Sequence, residues 1–183
     1  MLSRISKRLH TWARGWVILI IIAGFVVLIN IPVGDPELIS QSLDGRIGYT
    51  PQEAFSAVAS YGVDGRTQMI WIHLADFILI ALYTSMFCLV LSWLLQRGFP
   101  PDSRMQQLNV VPMIGGCFDV LENIWILTLL LAYPAQPQVI AWLSTISTTC
   151  KYSMGVVIVL LLVIGLGKSA ANRFRVQEAA AVG

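Results

Sequence analysis

Asp119, Glu122 and Asn123 stand at i, i+3 and i+4 within Gly115-Gly116-Cys117-Phe118-Asp119-Val120-Leu121-Glu122-Asn123, so on a helix they share one face. The stretch lies inside an apolar run long enough to cross a bilayer, where a charge costs roughly 2.5–3.5 kcal/mol on insertion scales. Carboxylates placed there need partners inside the protein. The clearest one is Lys151, in the middle of another apolar run, with Thr148 one turn before it. Such a set suits three chemistries. Glu122 or Asp119 can act as general acid–base on a lipid while Lys151 stabilises charge. A carboxylate left over after pairing can exchange a proton or hold a cationic ligand. Polar residues between membrane helices can also simply specify packing, and this structural reading carries about as much weight as the functional ones.

The elements that must hold these residues are apolar. The chain has 183 residues, 56% hydrophobic and 12% charged, with a mean hydropathy of +0.73. A soluble domain would carry about a quarter charged residues, so the composition predicts an all-α polytopic membrane protein forming one helical domain. Cys88, Cys117 and Cys150 fall inside apolar runs with no Cys-x-x-Cys pair, which argues against a disulfide framework, thiol chemistry or a Cys-based metal site. His10 and His73 are the only histidines. A bis-histidine haem is therefore not expected, and neither a metal nor any other cofactor is predicted.

Four transmembrane helices are expected, at about 16–32, 69–95, 108–133 and 139–166. A basic segment, 1–15, precedes them and a tail, 168–183, follows and is expected to be disordered. The first run, from Trp16, ends in Asn30-Ile31-Pro32-Val33-Gly34 without a small-x-small cleavage site, so it reads as an uncleaved span. The loop at 34–68 contains Thr50-Pro51-Gln52-Glu53, in which Thr50 can cap a helix, Pro51 suits its first position and Glu53 closes a capping box. Phe55, Val58 and Ala59 then share a face and Gly62 can end the segment. A short amphipathic helix is expected there, packed on the bundle rather than acting as a gating lid.

Nine of the twelve Lys and Arg residues fall at the N-terminus, in the 96–106 loop and in the tail, against two in the 34–68 loop and none in the turn at 134–138. This places both termini in the cytoplasm, in a membrane of the bacterial inner type. Helix midpoints near Leu121 and Tyr152 put Asp119, Glu122, Asn123 and Lys151 at one level near the bilayer centre. On the second helix His73, Asp76, Ile80, Tyr83 and Phe87 form a stripe. Tyr83 lies at the centre, Asp76 roughly 9 Å outward, and His73 near the outer surface. His73 and Asp76 read as hydrated interface residues in preference to a vestibule.

Tyr49-Thr50-Pro51-Gln52-Glu53-Ala54-Phe55, Gly62-Val63-Asp64-Gly65-Arg66, Phe118-Asp119-Val120-Leu121-Glu122-Asn123 and Cys150-Lys151-Tyr152 together resemble a group of small bacterial four-helix integral membrane proteins without an assigned activity. The likeness covers roughly residues 45–155 and implies the architecture alone. A remoter analogy is the EXPERA group, which includes the emopamil-binding sterol isomerase. Its members are also small bundles with intramembrane carboxylates facing an amphiphilic amine or sterol. This chain departs from their order of acids, and Lys151 is foreign to them.

The leading functional expectation is a binding or accessory membrane subunit. Its expected partners are the lipid bilayer, a small amphiphilic ligand or another subunit, including a second copy of the chain; nucleic acid is not among them. The alternatives are a small proton-coupled carrier working as an oligomer and a lipid-modifying enzyme. Neither inverted repeats nor a nucleophile–base pair is visible to favour them.

Overall fold

Residues 2–31 and 34–182 are described by a computed structural model, and among them all regular structure is helical. The helices are α1 (Leu2–Trp12), α2 (Gly15–Ile29), α3 (Pro36–Ser40), α4 (Pro51–Ser60), α5 (Gly62–Gly98), a 3-10 turn at Arg104–Val110, α6 (Val111–Ala132) and α7 (Gln138–Val182). Three stretches, Gly62–Gly98, Arg104–Ala132 and Gln138–Arg175, are long and apolar enough to cross a membrane. A fourth counts only if the bent pair of α1 and α2 forms one span.

Several expectations change. The segment 1–15 is not simply a basic extension: it contains α1, which meets α2 at 90°. In α1, Ser6 is buried and Ile5, Leu9 and His10 are half-buried, while Arg4, Lys7 and Arg8 face out, the pattern of an amphipathic helix. α2 has 15 residues, about 22 Å of rise against a hydrocarbon core of about 30 Å. Of the exit predicted for this helix, Pro32 and Val33 lie outside the described residues. The tail expected to be disordered continues α7 as helix to Val182, since Lys168 to Glu178 contains neither Pro nor Gly to stop it. The loop before the second span is also shorter than predicted, because α5 starts at Gly62 rather than near Met69.

The chain forms two compact units, one of Met1–Phe25, Leu82–Ile114 and Met154–Gly183, the other of Val26–Ala81 and Gly115–Ser153. In the first, Ala13, Ile18 and Leu89 make the core, with Leu9, Val17 and Trp93 packed on it. The 3-10 turn is tied to α1 by polar side chains. Ser6 Oγ donates to the Gln106 carbonyl at 3.1 Å, and Asn109 Nδ2 donates to the Ser6 carbonyl at 3.1 Å and to Ser92 Oγ at 2.8 Å. α5 and α7 approach closely where side chains are absent. A Cβ on Gly165 would stand 3.1 Å from Leu94 Cβ, and one on Gly98 would stand 3.0 Å from Lys168 Cβ. Small residues permit such approaches between membrane helices.

In the second unit α4 packs on the ends of three longer helices. Tyr49, Ala54, Phe55, Val58 and Tyr61 share one core with Met69 of α5, Ile126, Leu129 and Leu130 of α6, and Ala141 of α7. Ala59, expected on the buried face, is exposed; Ala54 and Ala57 take that role beside Phe55 and Val58. The predicted capping box is present. Thr50 N–H donates to Glu53 Oε2 at 2.7 Å, and Glu53 N–H donates to Thr50 Oγ1 at 3.3 Å. Gly62 adopts φ +67°, a left-handed conformation that a side chain would strain, and so lets α5 begin directly after α4 ends.

The Thr50 backbone N–H and hydroxyl hold the Glu53 carboxyl below the ordinary glutamate range. A folded-state value depressed in this way stabilises the helix start above the unfolded value, and that contribution disappears as pH falls through the folded value. Amide protection in the first turn of α4, corrected for intrinsic exchange, is therefore expected to fall as pH drops below about 4. Glu53→Gln should flatten this dependence.

Candidate functional site

Three helices of the second unit converge on the polar residues. α5 contributes His73 and Asp76; α6 contributes Asp119, Glu122 and Asn123. α7 contributes Ser144, Thr148 and Lys151, spaced four and three apart on one face. Gly115 and Gly116, both buried, do not break α6.

Lys151 is the hub. Its Nζ lies 3.1 Å from Asp119 Oδ1 and pairs with Glu122 Oε2. Glu122 is fully buried, and Thr148 Oγ1 donates to its other oxygen, Oε1, at 2.5 Å. The Thr148 oxygen also lies 3.0 Å from the Ser144 carbonyl, but the charged acceptor is the stronger one for its single proton. Ser144 Oγ in turn meets Tyr49 OH at 2.5 Å. Burial raises the Tyr49 phenol, and the Ser144 hydroxyl acts in the opposite sense.

Asn123 joins a second branch. Its Nδ2 donates to Asp76 Oδ2 at 2.8 Å, and its Oδ1 lies 2.8 Å from His73 Nδ1. A carboxylate can only accept, so the amide nitrogen must face Asp76 and Oδ1 must accept from the imidazole. His73 therefore donates this bond from Nδ1. Its Nε2 is buried and has no hydrogen-bond partner among the described residues. Asp76 has no basic group within ion-pair distance among the described residues.

His73 is thus not the hydrated interface residue read from its position in the sequence. It is 1% exposed and linked to the cluster through Asn123, as is Asp76. Seven of the predicted site residues, His73, Asp76, Asp119, Glu122, Asn123, Thr148 and Lys151, therefore meet in one unit. Tyr83 belongs to the other unit, where its ring meets Phe87 edge-on with centroids 6.1 Å apart.

Ser144 and Tyr152 share a small and polar stripe of α7 with Thr148 and Lys151 that is visible in the sequence, but Tyr49 and the links from that stripe to the loop are not. Tyr152 OH donates to the Asp44 carbonyl at 3.2 Å, and Tyr61 OH donates to the Gln41 carbonyl at 3.0 Å. Burial pushes the Tyr61 phenol up to about 12, so it remains a donor across the ordinary pH range. The segment from Gln41 to Tyr49 thereby reaches α7 beside Thr148 and Lys151. The available signal was a tyrosine directly before a capped helix start, since an aromatic ring with a polar tip suits a place half in a core and half on a network.

Chemically the cluster sets three carboxylates against one lysine, and its members differ in access. The side chains of Lys151 and Asp119 are 19% and 9% exposed and Asp76 is half-buried, whereas Glu122, Asn123 and Thr148 have no exposure. Among the described residues no group of three or more His, Cys, Asp or Glu side chains is arranged to hold a metal ion. Comparison with family models, curated proteins and solved structures finds no match for this chain.

Proposed function

We propose that this chain is a four-span integral membrane protein of the binding or accessory class. In this reading the Lys151 branch locks α6 to α7, and the Asp76 branch, which joins α5 to α6, seats a small amphiphilic amine. The observation that carries the proposal is Asp76, a half-buried carboxylate aimed by Asn123 and lacking a basic partner among the described residues. A cationic head would supply the missing charge, as ionisable groups at membrane depth require.

The long apolar helices support insertion, and the basic segments support cytoplasmic termini, in a membrane of the bacterial inner type. α2 serves as the fourth span, its 15 residues opening with Trp16 at the interface and supplemented by Trp12, Arg14 and local thinning of the bilayer. A binding role suits the site better than catalysis on a lipid. The hydroxyl that Thr148 sets against Glu122 is wholly buried and closed to substrate. The descent of Gln41–Tyr49 onto α7 roofs the site from the non-cytoplasmic side, so a ligand would enter past this loop.

Native mass spectrometry of protein extracted gently from its own membrane tests the proposal. A reproducible adduct carrying an amine is expected, retained in Glu53→Gln and lost in Asp76→Asn, with thermal stability nearly unchanged in both. Bare wild-type protein, or an adduct that persists in Asp76→Asn, would overturn the assignment.

A further inference from the structure

The first unit holds a second feature unrelated to the polar cluster. An apolar groove of about 590 Å³ runs between α2, α5 and α7, lined by Gly15, Ile18, Ile22, Trp93, Leu162 and Leu166 among others. Every lining side chain is hydrocarbon or indole. A Cβ on Gly15 would meet nothing within 4 Å, so the glycine leaves this end of the groove open rather than serving a close contact.

One end of the groove is strongly basic. Arg14 directly precedes Gly15. The Arg97 guanidinium lies over the Trp93 ring, 3.8 Å from its centroid. Lys168 follows Leu166 by two residues, and its Cβ abuts Gly98. All three basic side chains are exposed. This end is also fixed in place, because Asn172 Nδ2 donates to the Arg97 and Gly98 carbonyls at 3.0 and 3.2 Å. The residues of this unit include nine Lys and Arg against two acids, Asp102 and Glu178. An apolar trough ending in cations is complementary to a molecule with a long hydrocarbon part and an anionic head.

We propose that this groove binds one anionic diacyl phospholipid. An acyl chain lies along Ile18, Ile22, Leu162 and Leu166, and the phosphate meets Arg97, Lys168 and Arg14. A volume of about 590 Å³ lies within the range of built ligand sites, and basic pockets beside membrane helices on the cytoplasmic side are where anionic headgroups bind. The 90° elbow between α1 and α2 turns α1, with Arg4, Lys7 and Arg8 exposed, across the start of α2, as an amphipathic helix lying in the headgroup plane would be. The proposal rests on the membrane reading but not on the Asp76 site.

The test uses the full chain delipidated in detergent and titrated with phosphatidylglycerol or phosphatidylcholine, with bound lipid read by native mass spectrometry. Phosphatidylglycerol is expected to be retained as a single preferred adduct. Arg97→Gln with Lys168→Gln should weaken its retention by about fivefold for each cation removed and leave phosphatidylcholine unaffected. Gly15→Leu, which fills the trough without touching a charge, should weaken both lipids. Equal retention of the two lipids by wild type, unchanged retention in the double glutamine variant, or a dimer in place of a lipid adduct would each overturn the site. Flotation with phosphatidylglycerol–phosphatidylcholine vesicles separates the two levels of failure. Protein that floats but shows no lipid preference overturns this inference alone, whereas protein that does not float overturns the membrane reading beneath it.

Discussion

Lys151→Met is expected to lower the unfolding free energy by about 3–5 kcal/mol, the cost of removing one partner from a buried ion pair. The substitution keeps the length and apolar stem of the side chain, so little packing is lost. What it leaves is Glu122, fully buried, and Asp119, nearly so, without the ammonium that joins them. Glu122→Gln alone should cost less, because Lys151 retains Asp119 and the glutamine carbonyl can still accept from Thr148. The double variant should be more stable than Lys151→Met, since it removes the charge left buried at Glu122. This reversal separates an electrostatic account from a packing account, in which the losses would add. Reversible unfolding of the four proteins in mixed micelles measures the cycle. A Lys151→Met protein as stable as wild type would show that the pair contributes nothing.

Asn123→Leu is expected to cost about 2–5 kcal/mol, although leucine keeps the branched skeleton of asparagine and suits an apolar helix. The amide is fully buried and is the only link described between His73 and Asp76. Replacing it strands a buried imidazole N–H and removes a donor from a carboxylate, and each unsatisfied group costs about 1–3 kcal/mol. Chemical denaturation gives the loss, and the ring proton signals of His73 should report the broken hydrogen bond independently. Asn123→Ser, which keeps a donor but shortens it, should fall between the two. A neutral Asn123→Leu would mean that water replaces the amide and that His73 and Asp76 are not coupled through it.

Much of the site was legible because helical spacing is a local property. Asp119, Glu122 and Asn123 share a face by their numbering alone, and Lys151 matches them in position along its own apolar run. The capping box of Thr50 and Glu53 was equally plain, since its hydrogen bonds close within four residues. The misreading of His73 had a clear cause. Counting residues from the end of an expected span placed it at a surface, but α5 extends seven residues further toward its N-terminus than that span allowed. The α4 segment also packs over that level. The elbow between α1 and α2 was invisible for a similar reason, because a basic amphipathic stretch followed by an apolar one is compatible with either a straight or a bent path.

Composition and periodicity by themselves determined that the chain is helical, that it has long stretches apolar enough to cross a membrane, and that it carries a small set of charged residues needing one another. Those properties depend on residue type and on separations of three or four. Only the tertiary structure decided that Asn123 binds His73 and Asp76 together, that Tyr49 reaches Ser144, and that Gln41–Tyr49 descends to the level of Lys151. These contacts join residues 47 to 108 positions apart, where the sequence carries no periodic signal and the pairing is set by how helices and loop pack.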